Sequence, residues 1–309
     1  MLTKEQITSV KGLGFLQNRG TDMFSGRIVA PGTVFTSQNF TDLAELSNKY
    51  GNGKLIATSR LSIEVPGIKF ENIEPAIKFA EEKGLYFGGT GPKVRPITAC
   101  KGTTCIFGNC DTHAIAKTVH EAFYLGWSDV KLPHKFKIGV GGCPNSCMKP
   151  SLNDFGIEGH KKPVFNKDIC HGCKKCTVES CCPVNAAIVT NGKLFIDAEK
   201  CISCGRCVGK CPFNAIDENS ETVYKIFVGG TWGKTTKMGT PLSIMVTENK
   251  ITSILEKALL WYKENGIAKE RFAKTIERLG IDELEKALFS DDILLRKDSI
   301  LSSPIKEHE

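Results

Sequence analysis

The sequence predicts an α+β protein: a mixed sheet-and-helix domain interrupted by a small metal-stabilised insert and closed by a helical segment. Three observations predict it. Strand-like alternation and helix-like periodicity succeed one another through the first 160 residues and again after residue 222. At Lys161 the composition shifts, and as far as about Ser220 the chain is rich in Cys, Gly, Lys and Pro with only short apolar runs. Such a segment cannot build a large core, so bound metal must stabilise it. Finally, most of the fourteen cysteines lie two to four residues apart, a spacing that suits thiolates converging on metal better than long-range disulfides.

In chain order, Gly26 to Phe35 reads as a strand broken at Pro31-Gly32. Thr41 is placed to cap a helix running to about Tyr50, which Gly51-Asn52-Gly53 ends. Gly53 to Val65 reads as one extended run, because Leu61, Ile63 and Val65 alternate with Ser62 and Glu64. Pro66-Gly67 then turns the chain, and a helix starts at Asn72 and stops at Gly84. Asp111 can cap a helix through about Tyr124. Phe136 to Val140 is a strand running into Gly141-Gly142-Cys143, and Phe155 to Glu158 is another. Beyond the insert, Val223 to Val228 resumes a strand. Ile251, Ile254, Leu255, Ala258, Leu259 and Tyr262 share a helix face that Gly266 closes. Shorter helices are expected near 268–278 and 282–289, with a frayed tail beyond Arg296.

At 309 residues the chain has room for two or three domains. No run approaches eighteen apolar residues, so no membrane span is expected. The charged N-terminus is unlike a signal peptide, and the expected location is the cytoplasm, in a reducing, anaerobic setting. The net charge of +7 comes from scattered residues, with no basic helix interleaved with aromatics, so nucleic acid is not the expected partner. Another use for the excess charge is to neutralise anionic cofactors and a small anionic substrate.

Cys201-x2-Cys204-x2-Cys207-x3-Cys211-Pro212 is the run of bacterial two-cluster ferredoxins, in which the fourth cysteine serves the other cluster. Its partner run is Cys170-x2-Cys173-x2-Cys176, followed by Cys181-Cys182-Pro183. By the crossover rule one 4Fe-4S cluster takes Cys170, Cys173, Cys176 and Cys211. The other takes Cys201, Cys204, Cys207 and Cys182, which directly precedes proline; Cys181 stands as the alternative ligand. Paired four-thiolate zinc sites are the competing reading.

Cys100-x4-Cys105 and Cys143-x3-Cys147 can supply four thiolates to a further cluster or to zinc, and glycine at 141 and 142 allows close approach by a bulky group. Gly142-Cys143-Pro144-Asn145-Ser146-Cys147 with Asp154-Phe155-Gly156-Ile157-Glu158-Gly159 resembles the signature of siroheme-containing sulfite and nitrite reductases. Thr98 to Cys105 resembles that family's first cysteine pair, one residue shorter than in its assimilatory members. A ferredoxin module inside the siroheme domain resembles the dissimilatory enzymes and the small anaerobic type. The resemblance implies a single-repeat fold. Residues 1–90 form the N-terminal ferredoxin-like α/β half, 91–160 and 222–296 the siroheme and cluster domain, and 161–221 the inserted ferredoxin domain.

The cofactors implied are siroheme and three [4Fe-4S] clusters, with Cys147 bridging one cluster to the siroheme iron. Lys135 and Lys137 resemble the substrate-contacting lysines; on a strand both would face one way. Arg60 is similar to a siroheme-contacting arginine, Arg95 is placed to face the distal pocket, and Arg27 resembles an anion-binding arginine ahead of a Pro-Gly. A solvated face and surface salt bridges are the ordinary alternatives for these cations. Gly230 to Lys234 lacks the P-loop spacing, since Val228 stands where glycine is required. It resembles the segment around the siroheme carboxylates, with Gly230, Thr231 and Lys234 in contact and Gly142 and Asn145 on the cysteine side.

The resemblance implies reduction of sulfite, or alternatively nitrite, with a reduced ferredoxin or flavoprotein as electron donor. Since one copy of the fold is visible, it also implies a homodimer in which Lys135 and Lys137 of one protomer face the siroheme of the other. An electron-carrier subunit is the rival reading, disfavoured by the four extra cysteines and their neighbouring cations.

Overall fold

The computed structural model describes residues 2–30 and 33–307. The Pro31-Gly32 break lies outside them. The first unit is a sheet of β1 (Phe15–Gln17), β2 (Met23–Val29), β3 (Ile56–Ala57) and β4 (Ile63–Lys69) in the order β1-β2-β4-β3, with β5 (Tyr86–Phe87) also paired to β2. One face is covered by α2 (Ser37–Tyr50) and α3 (Ile73–Glu82), after the N-terminal α1 (Lys4–Lys11). Phe24, Ile28, Val65 and Ile68 from the strands meet Leu43, Leu46, Ala76 and Ala80 from the helices in one core.

Several sequence-based expectations change here. Helix α2 starts at Ser37: Thr36 caps it, exchanging reciprocal hydrogen bonds with Asn39, and Thr41 lies inside. The strand expected from Gly26 begins at Met23 and ends at Val29. The extended run from Gly53 to Val65 is split by a turn at Thr58–Ser62, where the Thr58 amide donates to the Ser62 carbonyl and Leu61 adopts φ +58°. Pro66-Gly67 does not turn the chain but sits within β4, beside a register shift between Phe24 and Gly26.

The second unit is a five-stranded sheet of β6 (Thr98–Ala99), β7 (Ile138–Gly141), β8 (Phe155–Lys161), β11 (Thr222–Val228) and β12 (Thr240–Pro241), in the order β12-β11-β8-β7-β6. Strands β6, β7 and β8 are parallel, whereas β8 and β11 are antiparallel over seven residue pairs. Helix α4 (Thr112–Val119) is capped by Asp111, which accepts from the amides of His113 and Ala114. It runs on through a wider turn at His120–Leu125, as expected for a helix to Tyr124.

Helix α6 (Glu248–Asn265) buries the anticipated face against the sheet, and Phe136, Tyr262 and Phe272 cluster at the centre. Three further helices, α7 (Phe272–Leu279), α8 (Ile281–Phe289) and α9 (Asp292–Leu295), lead into α10 (Lys297–Ser302). The tail is not frayed through Glu307: Ile300 is buried in the main core, and Ile267 bridges Lys306.

The insert leaves at the end of β8 and returns at the start of β11, where Lys161 and Thr222 are paired. It holds α5 (Thr177–Ser180) and the hairpin β9 (Ala187–Thr190)–β10 (Lys193–Ile196). Its fully buried apolar cluster consists of Val178, Ala187, Leu194 and Ile216, with five cysteines packed against it. That is little apolar area for some sixty residues, in keeping with its composition.

Candidate functional site

The parallel strands fix the site. Lys137 and Asp154 stand just before β7 and β8, and the Phe155 amide donates to the Lys137 carbonyl. Cys100 and Cys143 follow the opposite ends of β6 and β7. The loop after Cys143 then doubles back to the start of β8, with left-handed turns at Ser146 and Lys149. It thereby brings Cys147 to the cation-bearing end of the sheet.

A cleft of about 410 Å³ there is lined by Ser59, Arg60, Lys137, Cys147, Lys149 and Trp232, among others, and by no acidic side chain among the described residues. Arg60 comes from the Thr58–Ser62 turn of the first unit. Its guanidinium donates to Asn153 Oδ1 (3.1 Å) and to the Pro96 carbonyl (3.0 Å), which ties the two units together at the cleft. Lys137 Nζ reaches the Trp232 carbonyl at 3.4 Å, and Lys149 Nζ lies 4.2 Å from the Trp232 ring centroid.

Behind this cleft cations crowd one another. Burial, then the charges of neighbouring arginines, push Arg60 and Arg95 down to about 10, against a raising influence from Asp154. Burial, Arg60, Arg271 and Lys135 push Lys137 down to about 8, and Lys135 is lowered by burial and Arg271. A fully buried carboxylate, Asp154, is the counterweight. It accepts from Arg271 Nη2 at 2.8 and 2.9 Å and from the Lys137 amide at 2.8 Å. Burial nevertheless raises Asp154 above the usual carboxylate range, against the pull of Arg271.

Arg27 joins the group but is engaged by Glu64 at 2.6 Å, the ion pair that is its ordinary alternative, and donates to the Gly89 carbonyl as does Arg95. The Nε atoms of Arg95 and Arg271 and the hydroxyl of Thr231 are buried without a hydrogen-bond partner. Buried polar groups are normally satisfied. A cation-rich cleft flanked by orphaned donors therefore fits a polycarboxylate group and a small anion.

Not every anticipated residue is at the cleft. Asn145, expected at the siroheme, lines a second cleft on the insert side with Cys143, Cys181, Cys204 and Arg206. Its amide donates to the Cys143 thiol, which burial raises. Gly142 approaches backbone: an added Cβ would lie 2.9 Å from Gly102 Cα, and its amide donates to Cys100 Sγ at 3.2 Å. Gly230 likewise packs on the Ser151 and Asn153 backbone. Thr231 pairs with Lys237 through the backbone, while Lys234 is exposed and no described contact ties it to the cleft. Cys110 is a packed thiol, pushed up to about 12 by burial.

The thiols of Cys100, Cys105 and Cys147 all act electrostatically on Cys143. In the insert one cavity is lined by Cys182, Cys201, Cys204 and Cys207. Burial acts to raise the Cys182 thiol, but the amides of Ala187, Val184, Ala186 and Asn185 outweigh it and hold the thiol down. Cys181 instead donates to the Val178 and Arg206 carbonyls and is raised by burial and by Cys182. Amide donors around a sulfur suit a metal-bound thiolate. Cys170 is similarly lowered by the Leu194 and Gly172 amides and by Lys193, in spite of burial.

Sequence reasoning missed Arg271, Lys149, Trp232 and Asn153 as site residues, and saw Asp154 only as part of a motif. No spacing rule links Asp154 to a residue 117 positions away.

Comparisons with known proteins show the family and the fold. Residues 90–293 match the family model described as nitrite and sulphite reductase 4Fe-4S domain, and residues 15–83 match the nitrite/sulfite reductase ferredoxin-like half domain. The chain is 31% identical over 253 residues to the coenzyme F420-dependent sulfite reductase of Methanocaldococcus jannaschii, covering 81% of this chain and 39% of that protein. It is 31% identical over 267 residues to one of the subunits of the anaerobic sulfite reductase of Salmonella typhimurium, covering 80% of this chain and 76% of the relative. The fold is similar to the crystal structure of dissimilatory sulfite reductase I, with a TM-score of 0.70 at 20% identity, over 93% of this chain and 72% of that one. The chain thus spans about two fifths of the first of these relatives and about three quarters of the second. With both family models matched in order along a chain whose cysteine pairs follow β6 and β7, this protein belongs to the nitrite and sulfite reductase family of iron–sulfur oxidoreductases.

Proposed function

We propose that this chain reduces sulfite at a siroheme coupled to a 4Fe-4S cluster, with electrons supplied through the insert. The observation that supports this most directly is the one cleft lined by Cys147, Arg60 and Lys137, backed by Arg95, Lys135 and Arg271. Siroheme, when bound, would supply the iron that holds the substrate sulfur and passes electrons to it.

The protein's own residues do the rest. Cys100, Cys105, Cys143 and Cys147 would hold the inner cluster, with Cys147 shared with the siroheme iron. Arg60, Lys149 and the Thr231 hydroxyl are suited to the siroheme carboxylates, bidentately in the case of arginine. Lys135, Lys137 and Arg95 attract the sulfite dianion, and the lysines donate protons to oxygen leaving as water. Arg27, balanced by Glu64, adds positive field at longer range. In the insert Cys170, Cys173, Cys176 and Cys211 would hold one cluster and Cys182, Cys201, Cys204 and Cys207 the other, three clusters in all. The donor we propose is a reduced ferredoxin or flavoprotein.

Sulfite is favoured over nitrite because relatives named as sulfite reductases align over most of this chain. We place the working protein in the cytoplasm as a homodimer. The arrangement that the family resemblance implies has Lys135 and Lys137 of one protomer facing the siroheme of the other. The competing arrangement, a site completed within one protomer, draws on Lys137 and Cys147 lining a single chain's cleft. Mixing a Lys135/Lys137 double mutant with a Cys147→Ser variant decides between them, since only shared sites recover activity.

The visible spectrum of anaerobically purified protein tests the central reading. A siroheme Soret band and charge-transfer band are expected, and their absence would sink it. Turnover of sulfite and nitrite with a reduced dye then orders the substrates.

A further inference from the structure

The contact between the insert and the sheet of the second unit includes one short loop that is bonded in detail. The Lys161 amide donates to the Ser203 carbonyl at 2.8 Å, and Lys161 bridges Cys204 in parallel fashion. His160, buried at the end of β8, stands between Glu158 Oε1 (3.0 Å) and the Ile202 carbonyl (2.9 Å). On the outer side, the Arg206 guanidinium lies 5.1 Å from the Phe107 ring centroid.

At the centre is Asn109. Its Nδ2 donates to the carbonyls of Cys204 (3.2 Å) and Gly159 (3.3 Å), and its backbone amide donates to the Gly142 carbonyl at 2.8 Å. Thr222 Oγ1 in turn donates to the Asn109 carbonyl at 3.1 Å. One residue therefore bonds both to Cys204 of the insert and to the residue before Cys143. The Gly142 amide continues the chain of contacts to Cys100 Sγ at 3.2 Å. The fit is close: a Cβ on Gly205, whose φ is +75°, would lie 2.4 Å from Asn109 Oδ1. The loop carrying Cys170 bonds within the insert, where Lys193 donates to the Cys170 carbonyl at 2.5 Å and Thr177 to that of Lys210 at 2.6 Å.

We propose that electrons leave the insert through the Cys201–Gly205 loop and enter the inner site across Asn109. The cluster on Cys182, Cys201, Cys204 and Cys207 is then the exit, and the one on Cys170, Cys173, Cys176 and Cys211 the entrance. Each transfer oxidises the exit site by one electron and reduces the Cys100/Cys105/Cys143/Cys147 site by one, with no bond made or broken. The source is the low-potential one-electron donor of the proposed function. Asn109 acts as a positioning residue, since it holds Cys204 against Gly142 rather than carrying charge itself.

This inference rests on the cluster assignments above, so iron content and the siroheme spectrum of the wild-type protein are measured first. A missing cluster defeats that reading, not this one. The test follows reduction by a rapidly mixed viologen radical, using freeze-quench EPR to separate insert signals from siroheme. In the wild type, siroheme reduction should keep pace with the insert. In Asn109→Val, which removes both side-chain bonds, and in Gly205→Ala, which forces the loop off Asn109, the insert should reduce at its normal rate. Siroheme should then lag several-fold. An unchanged pace in variants holding all their iron would overturn the proposal. Loss of the insert clusters in both variants would overturn it too, because Asn109 would then be a structural strut.

Discussion

Lys137 sits where charge is least welcome, and an anion should relieve it. Its ammonium is held at about 8 rather than 10.5 by burial and by Arg60, Arg271 and Lys135. Restoring an ordinary proton affinity in the complex would be worth up to about 3 kcal/mol at about 1.4 kcal/mol per tenfold. The side chain is half-exposed, so screening reduces the gain to about 1–2 kcal/mol. Lys137→Gln should therefore weaken sulfite binding about 5- to 30-fold at pH 7. The sign in pH follows from the direction of the shift. Free Lys137 is lowered and bound Lys137 raised, so its contribution is full below about 8 and declines as pH rises beyond. Titrating sulfite into oxidised protein from about pH 6.5 to 9.5, with heats read in two buffers, should show proton uptake growing above about pH 8. A Lys137→Gln variant with the same affinity, or the same proton uptake, would refute the reasoning. Toward folding the sign reverses: the lowered Lys137 opposes the folded state fully below about 8, and that opposition fades toward pH 10.5.

Other outcomes follow from the same structure. Asp154→Asn should destabilise the fold by about 2–4 kcal/mol, because it leaves Arg271 without its buried partner. Arg271→Gln should cost less than an additive share on top of it, measured as midpoints in a double-mutant cycle. Cys182→Ser should lower iron content by about one cluster while Cys181→Ser leaves it intact; the reverse result would exchange their roles. Stripping the iron with acid and chelator should open residues 161–221 to protease before the two larger cores. A chain that is cut first elsewhere would contradict the metal-dependent stability of the insert.

What the sequence reveals and what it hides divide along physical lines. The ferredoxin run, the Asp111 cap and the apolar face of α6 are local patterns, set by ligand bite, cap geometry and helix pitch, and they are readable residue by residue. Thr36 and Thr41 are both plausible caps by type. Only the reciprocal bond to Asn39 separates them, and that depends on where the preceding strand delivers the chain. Asp154 and Arg271 are 117 residues apart, and Lys149 and Trp232 meet because β11, antiparallel to β8, ends beside the residue where β8 begins. Asn145 and Cys147 show a related effect: two residues apart along a tight loop, they line different clefts. Spacing specifies which atoms are available as ligands, whereas the sheet decides which of them share a cleft.

The pairing of Lys161 with Thr222 in β8 and β11 has a consequence for how such a protein is put together. The insert occupies the place of a hairpin turn, and its two ends are already neighbours in a ladder that the host sheet maintains. The host therefore bears almost no extra chain-closure entropy for carrying some sixty additional residues. Replacing residues 162–221 by a two-residue turn should leave both larger cores folded, with an inner site that a small-molecule reductant must feed directly. On the proposed electron route the wiring is modular: the sheet can gain or lose its power supply at one hairpin without redrawing the rest of the fold.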